Sequence, residues 1–381
     1  MSTVFDYLEW RGDLPFAAAP FNPVDNIIFS LLSYCPFDNL VPPPGGKTVP
    51  LKDAIEGLLV TVKKNPKKMN MYHFFKDAQY KLLLAVIESK RFCGIDVCGY
   101  VNHFDKQVET QFSALTFVPR DSAPAYIAFR GTDGTIIGWK EDFNMTFTDT
   151  IPAQEEALLY TEKMSKHIKG GFYIGGHSKG GNLAVYAGAF CAKSIKKRII
   201  TIFNNDGPGF PQKTAHRPEY IEVKDKIISY IPRDSVIGLL FEDRAFCVLK
   251  SGDSGFMQHN PFLWEVTKND VQKIDTITEG SRFVNKTLTD WLESMDNEKR
   301  RKFISALFEV LMSTNANSIP DLTSDWLKSA RLMITHLSQS DKETKTMLAQ
   351  AFGGLFEAAK NNFFKNIEKI HTKAPQKNDT V

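Results

Sequence analysis

A serine set between glycines, Gly176-His177-Ser178-Lys179-Gly180, is the segment of this chain whose residue types and spacing most directly imply chemistry. G-x-S-x-G is the pattern of a nucleophile on a sharp strand-to-helix turn, where the hydroxyl stands clear of the backbone. Such a turn strains the dihedrals at the serine. It also brings strand and helix so close that flanking side chains would collide, and glycine on both sides removes the collision. The surrounding sequence predicts the right context: apolar residues 171–174 read as strand and 179–191 as helix. The start of that helix would place partial positive charge beside a developing oxyanion. Attack of Ser178 on an acyl carbon is the chemistry expected. An inert serine in a Gly-rich turn, or a phosphate-binding turn, is the competing reading.

Acyl transfer needs two N–H donors aimed at the carbonyl oxygen as it becomes anionic. The residue after the nucleophile supplies one, here the N–H of Lys179. Gly131-Thr132-Asp133-Gly134, directly after the strand-like residues 125–130, suits the second. Thr132 offers both an N–H and a hydroxyl, although the same four residues also suit an ordinary Asp-Gly turn.

The usual chain order is serine, acid, histidine. Of eight histidines, those at 73, 103, 167 and 177 precede Ser178, and those at 336 and 371 fall in helical stretches. His216 comes too soon after the serine. His259 sits in a loop after the last strand of the core and is the expected general base. For the acid, Asp234 ends the strand nearest that loop and is preferred. Asp206, in Asn204-Asn205-Asp206-Gly207-Pro208-Gly209, is the alternative acid, with structuring its own turn or contacting substrate as its other readings.

Phe129-Arg130-Gly131-Thr132, then Trp139 and Asp142, then Gly176 to Gly181, resembles the class 3 lipase pattern of α/β-hydrolases. More closely, residues 95–265 resemble a bacterial group of lipase-like α/β-hydrolases long labelled a domain of unknown function. The resemblance implies an α/β-hydrolase fold and serine hydrolysis of an ester. Ser178 would be the nucleophile, and Thr132 and Lys179 the oxyanion donors. Lys179 departs from the apolar residue common at this place in lipases. A cation there either favours an anionic substrate over a neutral triglyceride or pairs with Asp142.

Two other motifs are imitations. Gly252-Asp253-Ser254-Gly255 looks like the nucleophile motif of trypsin-like proteases, but those need two antiparallel barrels and an upstream histidine before the acid; a turn before the His259 loop is expected instead. Gly45-Gly46-Lys47-Thr48 looks like the end of a P-loop, but Val41 stands where the first glycine should be and Pro50 interrupts the segment after it.

The elements needed to position these groups are visible in the hydrophobic pattern. Residues 1–94 read as a helical lead-in, with helices at 25–34 (Asp25 as cap), 51–62 and 72–89. From about 95 to 280, strands at 111–119, 125–129, 171–174, 198–203, 226–231 and 245–249 alternate with helices. That alternation predicts α/β architecture with a mostly parallel sheet. Residues 281–381 carry only helical stripes, at 283–295, 303–311, 326–337 and 345–370, and read as an extension or cap.

Composition sets the outer limits. The 381 residues include 43% hydrophobic residues and 29 Phe, enough for a sizeable core and for an apolar site. With 47 basic against 44 acidic residues, charge does not point to nucleic acid as a partner. Five cysteines without C-x-x-C suggest free thiols, and no metal or cofactor is expected. Neither a secretory signal nor an apolar run of roughly 18 residues is visible, so a cytoplasmic protein without a transmembrane segment is expected. The Phe-rich helices leave room for peripheral membrane contact. The expected function is a lipase- or esterase-type hydrolase of a small-molecule ester, lipid-like substrates included. The alternatives are a thioesterase or acyltransferase with the same triad, and a non-catalytic binding protein of the same fold.

Overall fold

Short segments rich in β-branched and aromatic residues pair into one nine-stranded sheet. In chain order its strands are β1 (Val49–Pro50), β2 (Ile95–Asp105), β3 (Thr110–Pro119), β4 (Ala125–Phe129), β5 (Phe172–His177), β6 (Ile199–Asn205), β7 (Ile227–Pro232) and β8 (Cys247–Leu249). A small ribbon of β9 (Val266–Thr267) and β10 (Asp270–Val271) comes next, and β11 (Lys273–Ile274) closes the edge. The spatial order is β1-β2-β3-β4-β5-β6-β7-β8-β11. This computed structural model describes residues 1–312 apart from 66–75, 106, 108, 122, 134 and 242–244, together with 331, 332, 335, 339–346 and 348–350.

The architecture is α/β, but the sheet is mixed rather than mostly parallel. Pairings from β4 through β8 are parallel, whereas β1 to β4 and the β8–β11 edge are antiparallel. Connection length explains the difference. Only a few residues separate β2 from β3 and β3 from β4, enough for a turn but not for a crossover; a parallel neighbour needs a dozen or more. In the sequence, only a change of texture near residue 95 marks strand β2.

The helices cover both faces. On one side lie α1 (Val4–Arg11), α2 (Pro23–Leu32), α3 (Leu51–Lys64), α4 (Lys76–Glu88) and the short α5 (Lys90–Cys93). On the other lie α7 (Pro152–Ser165) and α8 (Lys179–Phe190), with α6 (Ile136–Asn144) before them. Three single turns, α9 (Lys193–Lys196), α10 (Gln212–Ala215) and α11 (Pro218–Ile221), come after α8. Strand β4 shows how the two cores divide. Tyr126 and Ala128 join the N-terminal helices, while Ala125, Ile127 and Phe129 join α7 and α8, as alternation on a strand requires. All five are buried, the mark of a strand covered on both faces.

Asp25 does not cap its helix. Asn22 is the N-cap of α2, and Asp25 is the third residue of a capping box. Its carboxylate also takes two hydrogen bonds from the buried Arg91 guanidinium, at 2.7 and 2.6 Å, and one from the Tyr7 hydroxyl at 2.9 Å. Burial pushes the Asp25 carboxyl up despite that cation.

The stripes at 283–295 and 303–311 fold as α12 (Glu279–Glu293) and α13 (Asn297–Met312). They build a third cluster around Trp291, Phe303 and Phe308. The stripes at 326–337 and 345–370, with His336 and His371, lie largely outside the described residues, as does His73. Among the described residues no helix is long and apolar enough to cross a membrane.

Candidate active site

Ser178 is the one residue between β5 and α8, and its backbone lies at φ 57° and ψ −133°, a conformation costly for any residue with a side chain. The neighbouring glycines show why the turn tolerates nothing larger. A Cβ on Gly176 would stand 2.4 Å from the Phe129 carbonyl oxygen, and one on Gly180 only 2.2 Å from the same atom. The Ser178 amide donates to the Asn205 carbonyl at 2.9 Å, which ties the bend to the end of β6.

That neighbour brings a carboxylate to the site. β5 and β6 are adjacent and parallel, with His177 opposite Asn205, so the residue after Asn205 emerges beside Ser178. Asp206 is fully buried, and its Oδ2 lies 2.6 Å from His259 Nδ1. A carboxylate only accepts, so Nδ1 is the donor, and in the neutral ring Nε2 is the nitrogen that can accept a proton. The preferred acid, Asp234, does not reach His259. Its carboxylate instead accepts from Thr278 Oγ1 at 2.6 Å, Gln258 Nε2 at 3.0 Å and the Gly255 amide at 3.1 Å. Closeness along the chain to the histidine loop favours Asp234, but adjacency of strands in the sheet brings Asp206 to His259. Ser235 donates to Asp206 Oδ1 at 2.5 Å and fixes its second oxygen.

His177, set aside because it precedes the serine, packs against His259, with ring centroids 4.5 Å apart. Its Nε2 donates to the His259 carbonyl at 2.8 Å, so in the neutral ring Nδ1 accepts from the Tyr34 hydroxyl at 2.9 Å. Burial, then the neighbouring His259, holds its pKa well below the usual histidine value. Tyr34 comes from just beyond α2, so the N-terminal helices reach the site through a hydrogen bond.

The loop after β4 passes directly beside Ser178. A Cβ on Gly131 would stand 3.0 Å from Ser178 Cβ and 2.7 Å from the His177 carbonyl oxygen. Thr132 is therefore next to the bend, but its hydroxyl donates to Asp142 Oδ2 at 2.5 Å, which leaves its amide as the group for an oxyanion. Burial raises the Asp142 carboxyl to about 6, against the lowering pull of Lys179 and Thr132.

Lys179 opens α8, where the first amides have no intrahelical acceptor. It also lines the cavity, and its side chain is held in a buried ion pair. Nζ lies 2.7 Å from Glu141 Oε2, 3.1 Å from the Gln111 carbonyl oxygen and 3.6 Å from Asp142 Oδ1. Burial alone would lower the Lys179 pKa, but Glu141 and Asp142 outweigh it and the result is raised. Glu141, unmarked in the sequence, also accepts from the Gln111 and Ala153 amides, both at 3.1 Å, so one carboxylate joins β3, α6, α7 and α8. Sequence offers no signal for Glu141 beyond its place next to Asp142.

These groups share a cavity of about 280 Å³ whose lining is mostly apolar. Ser178, His259, Thr132 and Asp142 line it together with Met145, Ile237, Leu240 and Phe241. Helix α12 adds Leu288, Trp291 and Leu292 to the wall. Phe143 and Met257, both partly exposed, also line the cavity. The protease-like Gly252–Gly255 stretch is the turn that leads into the His259 segment, with Gly255 at φ 58°.

A family model described as Mbeg1-like matches residues 86–309, and the family is related to lipase-like proteins. No curated protein matches the chain. The matched span covers more than half of the sequence and includes every residue of the site except Tyr34, and the chain belongs to the Mbeg1-like family.

Proposed function

We propose that this member of the Mbeg1-like family is a serine hydrolase of carboxylic esters, built on an α/β-hydrolase sheet. The observation that carries the reading is the 2.6 Å Asp206–His259 hydrogen bond, which leaves His259 Nε2 as a base on the wall of the cavity that also holds the strained Ser178. Ser178 Oγ attacks the acyl carbon while Nε2 takes its proton. The amides of Lys179 and Thr132 receive the oxyanion. His259 returns the proton to the leaving alcohol, and the acyl group remains on Ser178. Water, deprotonated by Nε2, then attacks the acyl-enzyme and releases the acid. Asp206 holds the ring in the Nδ1–H form and stabilises its cation throughout.

The apolar body of the cavity suits a hydrocarbon acyl group. Lys179 does not favour an anionic substrate in this reading, because Glu141 and Asp142 neutralise it. An oxygen ester with an uncharged alcohol is preferred over a thioester of an anionic carrier.

A fluorophosphonate probe should label the wild-type protein and leave Ser178→Ala unlabelled. Asp206→Asn should cut ester turnover about 10⁴-fold by favouring the wrong tautomer, whereas Asp234→Asn should not approach that loss. An unlabelled wild-type protein would sink the assignment. Faster turnover of an acyl thioester than of the matching oxygen ester would move it to a thioesterase.

A further inference from the structure

Asp234 directs its hydrogen bonds elsewhere than to the base, yet it lies where parts of the site meet. Its amide donates to Gln258 Oε1 at 2.9 Å and its Oδ2 accepts from Gln258 Nε2 at 3.0 Å, a two-way clasp on the residue immediately before His259. Oδ2 also accepts from the Gly255 amide, at the start of the same 3-10 turn (Gly255–His259). Oδ1 faces the other way and accepts from Thr278 Oγ1 at 2.6 Å. Thr278 is the N-cap of α12, the helix that closes the cavity, and its amide donates to the Arg233 carbonyl at 3.0 Å. Ser281, in the first turn of α12, donates to the Ser235 carbonyl. Ser235 in turn donates to Asp206.

We propose that Asp234 is a positioning residue that couples the His259 loop to helix α12, so that the general base and the wall of the acyl cavity hold one fixed relation. This rests on the hydrolase reading of the site. The chemistry of the junction calls for a carboxylate. Three donors from two elements converge on it, and an acceptor-only group with two oxygens satisfies them all. An amide of the same shape offers one acceptor oxygen and presents two N–H groups to the remaining donors.

The length of α12 turns a small change at this junction into a large one at the wall. Leu288, Trp291 and Leu292 lie ten to fourteen residues beyond Thr278. At about 1.5 Å per residue that is roughly 15–20 Å of helix, so a tilt of about 4° at the cap moves the wall by roughly 1 Å. Misplacing the acyl group against Ser178 by that much would cost up to about a hundredfold in rate, and by part of it correspondingly less. Asp234 therefore bears on two observables at once: how fast Ser178 reacts, and which acyl lengths are accepted.

The experiment compares wild type, Asp234→Asn, Asp234→Ala and Thr278→Val, the last cutting only the helix side of the junction. Nitrophenyl acetate, butanoate, octanoate and palmitate give kcat/KM by acyl length, a fluorophosphonate gives the Ser178 labelling rate, and amide hydrogen exchange is measured over residues 255–260 and 279–293. Both Asp234 variants should slow labelling about tenfold, shift the octanoate-to-butanoate ratio by about fivefold or more, and raise exchange in both segments together. Thr278→Val should shift the ratio and raise exchange in α12 while changing labelling less. A lowered Tm in the Asp234 variants with a wild-type ratio and exchange rising in only one segment would overturn the coupling and leave a purely structural aspartate. An unlabelled wild-type protein would instead refute the hydrolase reading, and the paired exchange response would still decide whether the two segments are coupled.

Discussion

Two regions flank the sheet-and-elbow core, and they serve the site in opposite ways. The N-terminal helices share one continuous core with β2, β3 and β4 and touch the site through polar groups. Tyr34 orients His177, and Asn26 and Ser30 of α2 bond the Asn205 side chain beneath the Ser178 bend at 2.8–3.0 Å. The C-terminal helices keep a cluster of their own and, apart from the Thr278 and Ser281 hydrogen bonds at the head of α12, touch the site through apolar side chains. Beyond the junction at Asp234, they dock through contacts such as Phe143–Phe308, with ring centroids 5.7 Å apart, and Arg300 on the Thr146 carbonyl at 2.8 Å. Buried hydrogen bonds are directional and fix catalytic atoms, whereas apolar contact fills space with little directional preference. On the proposed hydrolase reading, the N-terminal flank bears on reactivity, whereas the C-terminal flank bears chiefly on what fits and on reactivity only through the Asp234 junction.

The sharpest way to break this contrast is at the buried Asp25–Arg91 pair, whose side chains are wholly enclosed. Asp25→Asn leaves a guanidinium buried without its counter-charge and should cost about 3–5 kcal/mol of global stability. Urea unfolding would measure it, and a loss below about 1 kcal/mol would mean that the N-terminal layer is not integral to the core. On the other flank, Trp291→Ala should lower kcat/KM for octanoyl esters about tenfold or more relative to acetyl esters, since a few missing methylene contacts account for that much discrimination. An equal fall for both esters would show that α12 acts on the chemistry rather than on fit.

Smaller effects refine the picture. Tyr34→Phe should cost about 1 kcal/mol by removing the hydroxyl bonded to His177 Nδ1. It should also slow fluorophosphonate labelling several-fold without changing the acyl-length ratio; a changed ratio would erase the distinction between the flanks. The smallest expected effect is on pH. His177 stays neutral in the fold, so below its ordinary value near 6.5 the unfolded chain binds a proton that the folded chain refuses. That contribution to stability is present above pH 6.5 and is lost as pH falls further. His177→Gln should flatten the decline of Tm on the acid side, and an unchanged slope would mean that His177 is not the group responsible.

How much of this was legible in the sequence depended on the range of the interaction. The Ser178 bend was legible because its constraints are local: two glycines, an apolar strand before and a helix after. His259 could be read from chain order and its loop setting. The choice of Asp206 over Asp234 was not legible, because it turns on which strand lies beside β5, and both aspartates end strands. Glu141 escaped notice for a related reason. Lys179 had an obvious candidate partner in Asp142, but the shorter contact goes to the neighbour one residue earlier on α6, which only the helix's rotation decides. His177 and Tyr34 work through a backbone carbonyl, and no sequence pattern marks that.

The backbone at Ser178 has one more consequence. A left-handed conformation that burdens serine is comfortable for glycine, so the native fold is held there in a posture its own side chain resists. On the proposed reading, replacing Ser178 with glycine would remove the nucleophile and relieve that tension together. The inert variant would then outlast its parent on heating, with chemical competence and durability opposed at a single position.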